Sequence, residues 1–327
     1  MKIDIHAHVV NRRYVDELVT HAGLSIQKTA SGQTLMRRGN RTFLWYRDNM
    51  FDLEARVRDM DAKGIDMRAL SLSTPNVYEW DAARQIEIAR DINDATAAMV
   101  RAHPTRFVGL GSLPLADIGA SLSELDRMTG ELGLAGVAIG SNVGGVPLND
   151  PRFEPVWARI DALELAVFEH PMFPTHTEDM EEFELPLRVG FVYDTTTAVA
   201  RMIYSGIFER YPRFKYIMAH TGGALLMILE RLDNGYRIFP DCRKYINRLP
   251  SEYAGHLYYD TCSFYGPALM MAHGIVGADH LLFGTDDPFI GSDSSHVDAL
   301  PISAEDKAKI FGGNAARLLN VSGKVGR

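Results

Sequence analysis

The chain has 327 residues, 46% hydrophobic and 23% charged, with a formal net charge of −8 and two cysteines, Cys242 and Cys262. That balance builds a sizeable core, and an acidic chain without a lysine or arginine block excludes a protein that tracks nucleic-acid phosphates, though not one that takes a small anionic substrate. Two cysteines without Cys-x-x-Cys spacing are too few for a disulfide framework, no apolar run reaches membrane-spanning length, and the N-terminus opens on a strand instead of a basic-then-apolar leader, so a reduced cytoplasmic setting is expected.

Short apolar runs ending in polar or glycine residues alternate with amphipathic segments along nearly the whole chain. The first run, Met1-Lys2-Ile3-Asp4-Ile5-His6-Ala7-His8-Val9-Val10, reads as a strand over 2–6. Alternate side chains of a strand share a face, so His6 and His8 aim at one point and Asp4 falls on the same face. Residues 11–49, rich in Arg and Gly, break the rhythm and fit an insertion over the mouth of the fold better than a core helix; such lids often complete an active site. Further strands are expected over 68–73, 107–113, 136–139, 166–170, 215–220, 257–261 and 281–284. Helical patterns lie over 52–63, 82–102, 118–132, 155–163, 195–210, 225–236, 267–276, 304–311 and 314–319. Gly64 and Gly133 follow two of these as helix stops, and the tail 322–327 is expected to fray. Eight strand–helix alternations without a dividing linker predict an α/β fold, a (β/α)8 TIM barrel forming one domain over 1–327 with an insertion at 11–49 after the first strand.

In such a barrel, catalytic groups come from strand C-termini and the loops behind them. His6, His170, His220 and Asp286 all fall there, more strong ligand and acid–base types than polar loop borders alone would supply. His170, in Val167-Phe168-Glu169-His170-Pro171, is a natural third ligand beside the His-x-His pair, and Asp286, in Gly284-Thr285-Asp286-Asp287-Pro288, a fourth, with Asp287 as the competing carboxylate. Three imidazoles and a carboxylate suit a divalent transition metal, zinc first and manganese or iron as alternatives. His220, beside Gly222-Gly223, has the chemistry of a general acid or base. Asp260, ending the seventh strand, either accepts a hydrogen bond from a ligand imidazole or makes an ordinary strand-end bond.

Together, His6-Ala7-His8, His170-Pro171, Ala219-His220-Thr221-Gly222-Gly223 and Gly284-Thr285-Asp286-Asp287-Pro288-Phe289 resemble the amidohydrolase superfamily, and within it the group containing 2-amino-3-carboxymuconate-6-semialdehyde decarboxylase. The resemblance runs over almost the entire chain, through Arg47-Asp48-Asn49, Arg106-Phe107-Val108-Gly109-Leu110, Phe208-Glu209-Arg210-Tyr211-Pro212 and Arg231-Leu232-Asp233-Asn234-Gly235-Tyr236. It implies metal ligation by His6, His8, His170 and Asp286, and catalysis by His220 and Asp286, with His220 next to the water that the metal activates. It also implies a homodimer and a small carboxylate substrate gripped by Arg47 and Arg231, the latter reaching a neighbouring subunit. Binuclear relatives bridge two metals with a lysine ending the fourth strand; the run 136–142 holds none, which implies one divalent metal per subunit. The implied reaction is metal-dependent decarboxylation of an unsaturated or aromatic carboxylic acid from aromatic-compound degradation, the alternative being metal-dependent hydrolysis or hydration of a lactone or dicarboxylate ring-cleavage product. The chain departs from that group at Met172-Phe173, where it carries Trp-Asp, at Leu187, where it carries a tryptophan, and at Asp194, where it carries a glutamate. A pocket wall has therefore changed from indole to aliphatic, which changes the ring or diene that is held. Asp194 and Thr195 read more simply as the N-cap of the next helix.

Overall fold

The computed structural model describes residues 1–9, 11–39, 41–321 and 323; Val10 and, Gly323 apart, the tail expected to fray lie outside them. In chain order the elements are β1 (Ile3–Val9), α1 (Arg12–His21), β2 (Ser25–Lys28), β3 (Thr34–Arg38), β4 (Arg41–Tyr46), α2 (Leu53–Lys63), β5 (Met67–Leu72), α3 (Ala82–Ala102), β6 (Phe107–Gly111), α4 (Ile118–Gly130) and β7 (Gly136–Gly140). A short hairpin, β8 (Asn142–Val143) and β9 (Val146–Pro147), precedes α5 (Glu154–Ala162), β10 (Ala166–His170), α6 (Phe191–Tyr204), α7 (Ile207–Arg210), β11 (Lys215–Met218), α8 (Leu229–Ile238) and α9 (Pro250–Ala254). The chain ends through β12 (Tyr258–Asp260), α10 (Gly266–Val276), β13 (Leu281–Leu282), α11 (Ser295–Asp298), α12 (Ala304–Ala308) and α13 (Asn314–Leu318).

Eight strands pair in the order β1-β5-β6-β7-β10-β11-β12-β13, all parallel. The cylinder closes where Ile5 N–H donates to Phe283 O at 2.9 Å and His8 N–H to Asp287 O at 2.6 Å. The expected α/β barrel is therefore present, with every expected strand in place. Alternation sorts the side chains into two apolar layers. One holds Ile3, Ile5, Met67, Val108, Leu110, Ala138, Phe168, Ile217 and Leu282, joined by Ala315 and Leu319 from the C-terminal segment, which plugs the barrel bottom. The other holds Leu70, Phe107, Val137, Val167, Tyr216, Tyr259 and Phe283 against the surrounding helices.

β1 departs from simple alternation. Its register against β5 shifts between Asp4 and Ala7: Ile3 and Ile5 belong to the interior layer, whereas Ala7 and Val9 belong to the strand–helix layer. This β-bulge turns His6 and His8 inward and leaves Asp4 on the opposite side, paired with Arg68, which reaches Asp59 of α2. The expectation that Asp4 shares the histidine face is thus overturned, because an extra residue resets the period of two.

Two further departures from the expected helical pattern bear on the site. The segment expected as one helix over 195–210 begins at Phe191 and breaks before α7 at Gly206, whose φ is +75°. A Cβ there would meet Tyr245 O at 2.4 Å, so only glycine fits the break. Asp194 consequently lies in the first turn of α6 instead of capping it. The region 11–49 contains a helix after all: Asn11 caps α1 through Tyr14 N–H, and Tyr14, Val15 and Leu18 pack into the core. Behind it β2, β3 and β4 form an antiparallel sheet that lends Phe43, Leu44 and Trp45 to the cavity described below.

Candidate metal centre and active site

At the C-terminal end of the barrel, donor atoms of His6, His8, His170 and Asp286, all buried, lie within 4.8 Å of one another. His6 Nε2 and His8 Nε2 are 3.1 Å apart, and Asp286 Oδ1 is 3.5 Å from the first and 3.3 Å from the second. Donors bound at about 2.05 Å in a tetrahedral site stand about 3.3 Å from one another, so this triangle has the size of a metal face.

Hydrogen bonds behind the imidazoles fix which nitrogen faces the cluster. His6 Nδ1–H donates to Asp260 Oδ2 at 2.6 Å, His8 Nδ1–H to Ser71 O at 3.3 Å and His170 Nδ1–H to Pro171 O at 3.1 Å, with Thr74 Oγ1 also 3.1 Å from the last. Carboxylates and carbonyls only accept, so each Nδ1 carries the hydrogen and each Nε2 presents a lone pair. Three lone pairs and a carboxylate that converge without a hydrogen among them fit a divalent cation. The electrostatics agree. Burial pushes the Asp286 carboxyl up, but His6, His220 and His8 outweigh it and hold it well below the usual range. Burial disfavours charge on His6, yet Asp286 and Asp260 prevail and raise it, so the site calls for positive charge at that point. His170 is driven well below its ordinary value by burial and then by His8, His6 and His220, and stays a neutral donor.

His220 stands beside this set and outside it. Its Nε2 is 3.7 Å from Asp286 Oδ2, and its side chain borders the cavity. Both His220 and Asp286 adopt left-handed backbone, φ +52° and +53°, as does Thr221 at +57°, a conformation that costs about 1–3 kcal/mol at a non-glycine residue. Neighbouring contacts impose it. Asp260 Oδ1 accepts from Thr221 N–H at 2.8 Å, and Asp4 accepts from Thr285 N–H at 3.0 Å and Thr285 Oγ1–H at 2.6 Å. Asp287, the competing carboxylate, is engaged by Arg56 at 2.7 Å and Arg68 at 3.2 Å, which leaves Asp286 as the one in the cluster. Both readings of Asp260 are observed at once: Oδ2 accepts from the His6 imidazole, and Oδ1 makes backbone bonds at the strand end with Thr221 N–H and Cys262 N–H.

A cavity of about 760 Å³ opens over the cluster, walled by Phe43, Leu44, Trp45, Leu187, Phe191 and Phe289, with His170, His220 and Asp286 at its base. Arg47 and Arg231 are not among its lining residues. Both are exposed, the guanidinium of Arg47 lying 5.5 Å from the Trp45 ring centroid. Asp194 bonds Ser141 and Asn142 beneath Met172, and Thr195 Oγ1–H donates to Glu169, whose carboxyl burial pushes up to about 8. Sequence reasoning missed Arg56, Arg68, Thr74, Trp45, Phe289 and Arg188. A signal existed only for Arg68, a lone charge inside the apolar strand run Met67-Arg68-Ala69-Leu70, which demands buried counter-charges.

The amidohydrolase family model matches residues 3–321. The 2-amino-3-carboxymuconate-6-semialdehyde decarboxylase of Dictyostelium discoideum is 31% identical over 98% of this chain and 92% of its own. Among solved structures, the 5-carboxyvanillate decarboxylase of Sphingomonas paucimobilis superposes with a TM-score of 0.86 at 28% identity, covering 98% of this chain and 99% of its own. The dihydroxybenzoic acid decarboxylase of Polaromonas sp., solved with manganese and the inhibitor 2-nitroresorcinol, gives 0.80 at 28% identity over 98% of this chain and 96% of its own. With the family model spanning nearly all of its length, the chain belongs to the amidohydrolase family.

Proposed function

We propose that the chain is a metal-dependent carboxy-lyase that removes CO2 from an aromatic or conjugated unsaturated acid, with one divalent ion held by His6, His8, His170 and Asp286. The observation that carries this reading is the convergence of three Nε2 lone pairs and one carboxylate at the base of an aromatic-walled cavity, in a chain that has decarboxylases among its full-length relatives. A divalent ion bound there supplies Lewis acidity, polarising a substrate oxygen and orienting the acid. The chain's own groups do the rest. Phe43, Trp45, Phe191 and Phe289 hold a flat ring and exclude water, which favours release of neutral CO2 from a charged carboxylate. His220, next to Asp286, moves the proton: a C–H bond replaces the C–C bond to the carboxylate, the bonding pair stays with the ring carbon, and one proton is consumed.

Zinc is the first choice of metal, and manganese, present in the Polaromonas relative, is the alternative. We further propose a cytoplasmic homodimer in which Arg231 serves the partner's site and Arg47 reaches the substrate from over Trp45. Residues 1–327 then act as one domain and 11–49 as its lid. No helix among the described residues is long and apolar enough to cross a membrane. The test is CO2 release from 2-amino-3-carboxymuconate semialdehyde, 2,6-dihydroxybenzoate and 5-carboxyvanillate by metal-loaded and chelated protein. Absence of metal-dependent CO2 from the whole panel refutes the proposal.

A further inference from the structure

The wall of the cavity is largely apolar, and among its described lining residues Arg188 alone carries a permanent positive charge. Arg188 lies on a π-helical turn, Pro186–Gly190, directly before α6. The turn is fixed at both ends: Pro186 and Gly190 are buried, Arg188 N–H donates to Glu184 O at 3.1 Å, and a Cβ on Gly190 would come within 3.1 Å of Pro174. A side chain carried on such a segment returns to the same place each time a ligand enters, unlike one on a loose loop.

Its charge is also uncommitted. Glu184 sits four residues before Arg188, the spacing at which a helical ion pair forms. That carboxylate is taken by the insertion instead, accepting from Thr42 N–H at 3.2 Å and Thr42 Oγ1–H at 2.9 Å. No ion pair or side-chain hydrogen bond engages Arg188 among the described residues, and it is exposed at the open end of the cavity, while His170 and Asp286 are buried at the base. A planar guanidinium there matches a carboxylate on the substrate's outer edge.

We propose that Arg188 binds a second carboxylate of the substrate, remote from the one that leaves, so that this chain prefers an aromatic or conjugated dicarboxylate over the matching monoacid. The direction of the reaction rests on the carboxy-lyase reading; the binding preference does not. The matched probes are 5-carboxyvanillate and 2-hydroxy-3-methoxybenzoate, which lacks only the distal carboxylate. Calorimetric binding and CO2 release are measured with manganese-loaded full-length protein, wild type, Arg188→Gln and Arg188→Lys. The expected result is tighter binding of the dicarboxylate by wild type, a preference that falls about 10- to 100-fold in Arg188→Gln through KM and not kcat, and partial recovery in Arg188→Lys. Equal weakening of both acids by Arg188→Gln, an unchanged preference, or no preference in wild type overturns the proposal. Loss of the preference in Arg188→Gln, with no CO2 from these two acids or from the rest of the panel above, refutes the carboxy-lyase reading alone and leaves the anion contact standing.

Discussion

Replacing Asp260 with asparagine tests whether the cluster is built for a cation. Asp260 Oδ1 accepts from Thr221 N–H at 2.8 Å and Cys262 N–H at 2.9 Å, and Oδ2 accepts from His6 Nδ1–H at 2.6 Å. In Asp260→Asn the amide carbonyl can keep the two backbone donors, which leaves an NH2 group facing the N–H of His6. Two donors cannot bond each other, so His6 is driven to the tautomer with its hydrogen on Nε2, 3.1 Å from His8 Nε2 and in the space a metal would fill. The lost bond is charge-assisted and buried, worth about 1.5–3 kcal/mol, and residues supporting a ligand histidine typically contribute 10- to 100-fold in affinity. A chelator-competition titration with manganese and zinc should therefore show affinity reduced by one to two orders of magnitude while the fold melts as a single cooperative unit. A dissociation constant within about threefold of wild type would mean that His6 is not a ligand oriented by Asp260, and the assignment of the centre would fall with it.

Asp286→Ala should abolish metal retention, whereas His220→Ala should keep the metal and lose turnover; metal analysis beside CO2 release separates the two, and equal metal loss in both would make His220 a ligand. Arg68 is fully buried between Asp4, Asp59 and Asp287, so Arg68→Met, which leaves Asp4 and Asp287 short of a partner, should cost about 3–5 kcal/mol in urea unfolding. A loss below about 1 kcal/mol would show that Arg56 and Thr285 already suffice. Chelation of metal-loaded protein should lower the melting temperature by removing roughly 2.7 kcal/mol of stabilisation at a metal concentration 100 times its dissociation constant. Manganese or zinc should restore it, and a melting temperature indifferent to both would count against the centre.

The barrel was legible because its strands announce themselves: each is a short apolar run ending in a polar residue, and a period of two followed by a period near 3.6 repeats around the cylinder. The cluster of His6, His8, His170 and Asp286 was legible because metal-ligating residue types are few, and here they fall within β1, at the end of β10 and in the loop after β13. What the chain hid is whatever depends on three-dimensional register. The bulge in β1 carries no sequence mark, since Ile5 fits either face. The break at Gly206 depends on Tyr245, a residue from a later segment. Arg188 looks like any surface arginine until the cavity around it is known, and Arg47 and Arg231, named by resemblance, do not line the cavity of this subunit.

The bulge and the buried charges answer one physical problem, the precision of the centre. A metal ligand has to be held to within roughly 0.5 Å, yet strand ends border loops. β1 resolves this by turning His6 and His8 inward at the bulge while Asp4 stays behind as an anchor, bonding Thr285 one residue before Asp286. Arg56 and Arg68 hold Asp287 one residue after it. The strained backbone of Asp286 is thus clamped on both sides through residues that never touch the cavity, and His6, from the same strand as Asp4, is set through Asp260, which also fixes the turn bearing His220. His6 on β1, Asp286 in the loop after β13 and His220 therefore share one rigid frame. Loosening any single clamp should disturb metal affinity and turnover together, which a cluster of independently mobile histidines would not do.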